Sequence, residues 1–116
     1  MREDGKIDYV EFPADGIPAV KDFYSKAFGW TWVDYGPDYA AFGEAAVDGG
    51  FNGDPTDAGR AAKPLVVLYA HDIEAMAAKV EAAGGVIINP IYSFPGGRRF
   101  HFTDPSGNEL AVWSET

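Results

Sequence analysis

Residues 6–13 alternate in a period of two. Ile7, Tyr9 and Glu11 fall on one face, Val10 and Phe12 on the other, which predicts a strand. The period then changes. Ile17, Val20, Tyr24 and Ala27 recur at spacings of three and four and form the single apolar stripe of a helix packed on one side. Asp15 or Gly16 can cap that helix, Pro18 is tolerated in its first turn, and Gly29 is a natural stop. Beyond it, "WTWVDY", "DYAAFGEAAV" and "GGFN" predict short strands separated by Gly, Pro and Asp. Residues 53–63, "GDPTDAGRAAK", have no period and are rich in turn formers, so they are read as a linker.

The pattern then restarts. "PLVVLYAHDIEAMAAKVEAAGG" predicts a strand, a capping Asp72, a helix with Ile73, Met76, Ala77 and Val80 inward, and a glycine stop. "VIINP", "RRFHFT" and "ELAVW" predict three further strands. A shift of 56 residues lays Ile17 on Ile73, Val20 on Met76, Tyr24 on Val80 and Gly29 on Gly85. Few identities survive, yet the order of strand, helix and three strands recurs. The chain is therefore read as a duplicated βαβββ unit, with modules at about 6–52 and about 64–115 in a single domain over 1–116.

Composition narrows the function classes. The formal net charge is −9, with 18 acidic against 9 basic side chains, a surface that repels phosphate backbones and disfavours a nucleic-acid partner. No cysteine is present, which removes disulfides, thiolate metal sites and a cysteine nucleophile. No apolar run approaches the roughly 20 residues of a membrane span, and "MREDGKIDYV" lacks the apolar middle of a signal peptide. The expectation is a cytoplasmic protein with no membrane partner.

Three stretches in this order and spacing, "YVEFPADGIPAVKDFYSKAFGW", "YAHDIEAMAAKVEAAGG" and "FTDPSGNELAVW", make the chain resemble the vicinal oxygen chelate superfamily. That superfamily includes glyoxalase I, bleomycin-resistance proteins and extradiol dioxygenases. The resemblance spans nearly the whole chain. It implies an α+β fold of two βαβββ modules whose mixed sheet curls around a cleft, commonly completed in a homodimer.

The resemblance also implies positions for a divalent metal, bound by His and Glu side chains that face the cleft. The first is a His two residues before the glutamate of "YVEFP", where this chain has Tyr9. The second opens the strand of the second module, where it has Leu65. The third lies four residues past the glycine of "DPSGN", where it has Ala111. A fourth position does not align; Glu44, Asp48 and Asp54 are nearby. His101 and Glu109 are the candidates for a replacement pair. They become cleft neighbours if residue 101 pairs with residue 109 across the hairpin, and a one-residue change of register would set their faces in conflict. Two ligands alone make a weak site, so no metal or other cofactor is expected. His71, just before the helix cap, is read as an exposed loop residue.

Cleft parity carried over from the family points Tyr9, Glu11, Leu65, Tyr69 and Trp113 inward, with Arg99 and His101 joining them if that pairing holds. Such a surface suits a flat or partly cationic small organic molecule. Arg99 can hold a carboxylate through its fork of donors. The candidate catalytic groups are His101, Glu109 and Glu11, as a base. Trp30 and Trp32 are read as structural. "FPGG", at 94–97, is either a plain turn or a loop that closes over a ligand. The leading expectation is a metal-free homodimeric binding protein for a small organic molecule. The alternatives are a metal-dependent lyase, isomerase or dioxygenase with a rearranged ligand set, and a protein-interaction domain.

Overall fold

The alternation at the start becomes β1 (Ile7–Pro13), and the first apolar stripe becomes α1 (Ile17–Phe28). They are followed by β2 (Thr31–Asp34), β3 (Tyr39–Gly43) and β4 (Gly49–Asn52). The second round gives β5 (Leu65–Tyr69), α2 (Ile73–Ala82), β6 (Val86–Phe94), β7 (Gly97–Thr103) and β8 (Glu109–Ser114). These elements come from a computed structural model that describes residues 2–116. They divide into a first unit, Tyr9–Leu65, and a second unit made of Val66–Thr116 with the residues leading to Asp8. Residues 53–64 carry neither helix nor strand.

The two units share one topology. In the first, the strand order is β2-β3-β4-β1, with β1 parallel to β4 and the other pairs antiparallel. In the second it is β5-β8-β7-β6, with β5 parallel to β8 and the rest antiparallel. In each, a helix connects the opening strand to an antiparallel meander whose last strand returns beside it. The duplication legible in the sequence is thus a duplication of hydrogen-bonding pattern.

Each helix buries its stripe against one face of its own sheet. In the first unit Ile17, Val20 and Tyr24 of α1 pack with Phe12, Ala40, Phe42 and Phe51. Trp30 and Trp32 are structural, as expected. The ring of Trp30 lies 4.6 Å from Tyr24 and 4.5 Å from Phe42. In the second unit Ile73, Met76, Ala77 and Val80 of α2 meet Leu68, Phe100, Phe102, Leu110 and Val112. Aromatic and aliphatic burial of this kind is the main favourable term for both cores. Among the described residues no helix is long and apolar enough to cross a membrane.

The element ends differ from the sequence expectations for local reasons. The strand predicted through "DYAAFGEAAV" stops at Gly43, because Glu44 and Ala46 take φ of 61° and 72°, left-handed values that no strand accommodates. Helix α1 is capped by Gly16 with no side-chain bond, whereas Asp72 caps α2 by accepting from the Ala75 amide at 3.0 Å. Strand β6 does not end with "VIINP". It runs on to Phe94, and "FPGG" is a tight turn in which Phe94 pairs with Gly97.

The turn "DPSGN" closes the β7–β8 hairpin through one carboxylate. Asp104 Oδ1 accepts from the amides of Ser106 and Asn108, and Oδ2 accepts from the Asn108 side chain, all at 2.8–2.9 Å. These bonds, led by those to Asn108, hold the Asp104 carboxyl below its ordinary value. A depressed carboxyl stabilises the fold above the unfolded value of about 3.9 and loses that contribution as pH falls through the folded value. Asp104→Ala is therefore expected to melt at lower temperature than the native protein at neutral pH. The gap should close on acidification below about pH 4, and a pH-independent gap in thermal scans would refute the assignment.

Candidate functional site

In each unit the sheet face turned away from the helix carries the polar chemistry. On the first, Tyr39 donates its hydroxyl to Glu11 Oε1 at 2.9 Å, and the Tyr9 hydroxyl lies 2.7 Å from that of Tyr39. Because Tyr39 gives its proton to the carboxylate, Tyr9 donates to Tyr39. Glu11 is 5% exposed. Burial, then the neighbouring charges of Glu11 and Tyr9, drive the Tyr39 phenol far above its ordinary range. Gly50 makes room for the pair: a Cβ there would sit 2.7 Å from Tyr39 Cε1 and from both hydroxyl oxygens. Neither Tyr39 nor Gly50 was singled out in the sequence. The signal available was the alternation of "DYAAF", which places Tyr39 and Ala41 on one face of β3.

The second unit holds the larger set. Its hairpin register is Thr103↔Glu109, His101↔Ala111 and Arg99↔Trp113. Residue 101 therefore does not oppose residue 109. The register differs by two residues from the pairing considered, which keeps the parity, so both side chains stand on the same face as diagonal neighbours. They meet: His101 Nδ1 is 2.8 Å from Glu109 Oε2. On the other side of β7, two register shifts in β6 bring Tyr92 opposite Arg99, an irregularity of the kind that re-aims side chains. The Tyr92 hydroxyl lies 2.8 Å from His101 Nε2, and Arg99 Nε donates to the Tyr92 oxygen. His101 is 1% exposed.

Aromatic rings continue this face. Trp113 meets Tyr69 edge-on at 5.4 Å and lies 6.3 Å from Phe94. The guanidinium of Arg2 stands 5.1 Å over Trp113, and that of Arg99 stands 5.6 Å over Tyr92 and 5.8 Å over Phe94. Trp113 donates its indole N–H to Asp8 at 2.8 Å, and Tyr69 donates to Glu115 at 2.9 Å. Of the residues expected in a site, the structure gathers Tyr69, Arg99, His101, Glu109 and Trp113 on one face of the second unit. Tyr9 and Glu11 share a face in the first. Leu65 is fully buried and offers only hydrocarbon. Tyr92 was missed, because the strand expected over "VIINP" stops before it, and Phe94 was singled out only as part of "FPGG", as a turn or a closing loop.

The donor chemistry does not fit the metal centre that the resemblance implies. Leu65 and Ala111 have no lone pair to give and are wholly buried. Both ring nitrogens of His101 are engaged, one by Glu109 and one by Tyr92. His71 is exposed, as expected, and its ring nitrogen lies 2.7 Å from Asp4. Asp54 is turned onto Thr56. Among the described residues no three His, Asp or Glu side chains converge, and a divalent ion with protein ligands needs about that many.

Comparison with known proteins agrees with this geometry at the level of the fold. The sequence profile of the Glyoxalase/Bleomycin resistance protein/Dioxygenase superfamily matches residues 6–112. Anthracycline biosynthesis protein DauV of Streptomyces sp. (strain C5) is 32% identical over 128 residues, an alignment covering 94% of this chain and 46% of that protein. The chain thus spans less than half the length of that relative. Among solved structures, a superfamily member from Vibrio splendidus 12B01 superposes with a TM-score of 0.68 at 16% identity, over 94% of this chain and 97% of that one. The Mn(II)-bound glyoxalase from Novosphingobium aromaticivorans does so with a TM-score of 0.66 at 24% identity, over 99% and 40%. Repeated βαβββ topology, the profile match and these likenesses converge, and the chain belongs to the glyoxalase/bleomycin resistance protein/dioxygenase superfamily.

Proposed function

We propose that this protein binds a flat aromatic small molecule, without a metal, on the aromatic face of the second unit's sheet. The observation that carries the reading is the pair of cation–aromatic stacks there, Arg2 over Trp113 and Arg99 over Tyr92 and Phe94. Trp113, Tyr92 and Phe94 are all half-buried, so rings and cations are held in place while part of their surface meets solvent. A preorganised aromatic surface binds another ring at low entropic cost. The name of the DauV relative points the same way, since anthracyclines are fused planar ring systems bearing carbonyls and hydroxyls. A homodimer is proposed on the family likeness.

The test is calorimetric titration of the protein, in chelator-treated buffer, with an anthracycline and separately with a naphthoquinone. Saturable binding is expected, unchanged by chelator. Trp113→Ala is expected to weaken it about tenfold, the worth of one aromatic contact. Binding that requires added metal, or that ignores Trp113→Ala in a protein shown to be folded, would refute the reading.

A further inference from the structure

Arg2 lies over Trp113 with its guanidinium carbon 5.1 Å from the ring centroid. Its Nε donates to Asp8 Oδ2 at 3.1 Å, and the same oxygen accepts the Trp113 indole N–H at 2.8 Å. A planar cation thus covers an aromatic face, and its charge is answered by a carboxylate tied to the edge of that ring. Attraction of a cation to an aromatic face is strongest over indole, and the guanidinium is planar and weakly hydrated. Tyr69 meets the Trp113 ring edge-on at 5.4 Å and is bonded to Glu115, so a second carboxylate stands beyond the first ring.

The segment that carries Arg2 is anchored behind it. The Gly5 amide donates to the Tyr69 carbonyl at 2.9 Å, and the Tyr69 amide donates to the Lys6 carbonyl at 3.2 Å. Asp4 Oδ1 accepts from the amide of His71 at 2.8 Å. The side chain of Arg2 is 40% exposed and that of Asp8 17%. Rotation about the Arg2 side-chain bonds therefore carries the guanidinium into solvent without disturbing those anchors, while Asp8 stays against the indole. What is given up is one stack and one partly exposed ion pair, a class of contact that contributes little.

A ring cannot slip between the two groups. Two stacked layers need about 7 Å, twice the optimal carbon–carbon separation of about 3.5 Å, and the observed gap is 5.1 Å. A molecule that stacks on this face of Trp113 takes the place of Arg2. A neutral ring in that place removes a donor and a counter-charge from a carboxylate with little access to water, and it supplies neither. A flat cation returns the charge. The net charge of −9 favours the approach of the same class.

We propose that Trp113 and Asp8 form a subsite for a planar organic cation and that Arg2 is its built-in competitor. The proposal rests on the binding reading for where the ligand lies, and adds the charge of the ligand and the side chain that sets its affinity. Apparent affinity is lowered by the fraction of molecules in which Arg2 holds the position.

The test is calorimetric titration with N-methylquinolinium and with quinoline, rings of similar shape of which the second is uncharged in neutral buffer. The native protein is expected to bind the cation about tenfold more tightly. Arg2→Ala is expected to strengthen cation binding by about fivefold, as the competitor is removed. Adding Asp8→Asn to that variant keeps an acceptor for the indole and removes the charge, so the preference for the cation should disappear. The Trp113 indole N–H resonance, assigned by its absence in Trp113→Phe, should move when the native protein is titrated with the cation. Native circular dichroism spectra check the fold of each variant. The proposal is overturned by a cation that does not bind, by equal affinity for the two rings, by cation binding that is unchanged or weaker in Arg2→Ala, or by an indole resonance that stays in place. Naphthoquinone binding that is lost in Trp113→Ala would survive any of these results, so the two ideas fail separately.

Discussion

Replacing Gly49 by alanine is expected to destabilise the first unit by about 3 kcal/mol, at the upper end of what overpacking costs. Gly49 opens β4 opposite Val10 in the parallel pair and Phe42 in the antiparallel one. A Cβ there would overlap the Val10 carbonyl oxygen and the edge of the Phe42 ring. The ring can turn only by disturbing its contacts with Trp30 and Phe51, and the carbonyl belongs to the strand itself. Relief of one clash therefore spreads into the ladder or the core. Urea unfolding followed by tryptophan fluorescence reports on this directly, because Trp30 and Trp32 line that core. An unchanged midpoint would show that β4 yields without cost.

Phe100→Ala should do comparable harm to the second unit, about 3–5 kcal/mol. Phe100 is fully buried, contacts the cluster beneath α2, and sits 6.1 Å from the ring of Phe102. Truncation removes most of a large apolar side chain and leaves a cavity that flanking strands cannot fill without moving. The position also separates two jobs on one strand. Phe100 faces the helix, while Arg99 and His101, its neighbours in sequence, turn to the opposite face, where they bond to Tyr92 and Glu109. Far-ultraviolet circular dichroism in urea should show the loss, and a midpoint within error of the native value would mean that β7 is not anchored from the helix side.

The alternation of β1, the helical stripes, the Asp72 cap and the 56-residue echo were all legible because each depends on residues close in the chain. The alternation within β7 and within β8 was legible too, but only the hairpin register decided whether the two strands turn the same faces the same way. Arg99 and His101 share a face with Glu109 and Trp113 because the observed register pairs Thr103 with Glu109 and His101 with Ala111; a shift of one residue would have separated them. The three metal positions come from the family resemblance and not from periodicity; that Tyr9, Leu65 and Ala111 occupy them is read directly from the letters.

The partners of those residues were not legible. Tyr92 reaches His101 because β6 shifts register twice between Ile87 and Tyr92, and nothing in "VIINPIYSF" announces two irregularities. Tyr39 reaches Glu11 across a separation of 28 residues, through two strand pairings and the space left by Gly50. Periodicity fixes which face a side chain takes, because that is a property of the local backbone. Which two side chains on that face come within 3 Å depends on register, bulges and the gaps left by glycines, and these are settled only when strands distant in sequence pair. By itself, then, the sequence determined two βαβββ repeats, their helix-facing cores and a polar, aromatic opposite face. The tertiary structure alone decided that Glu109, His101, Tyr92 and Arg99 form one continuous hydrogen-bonded line, because the energy of each bond depends on distances between strands that no local pattern encodes.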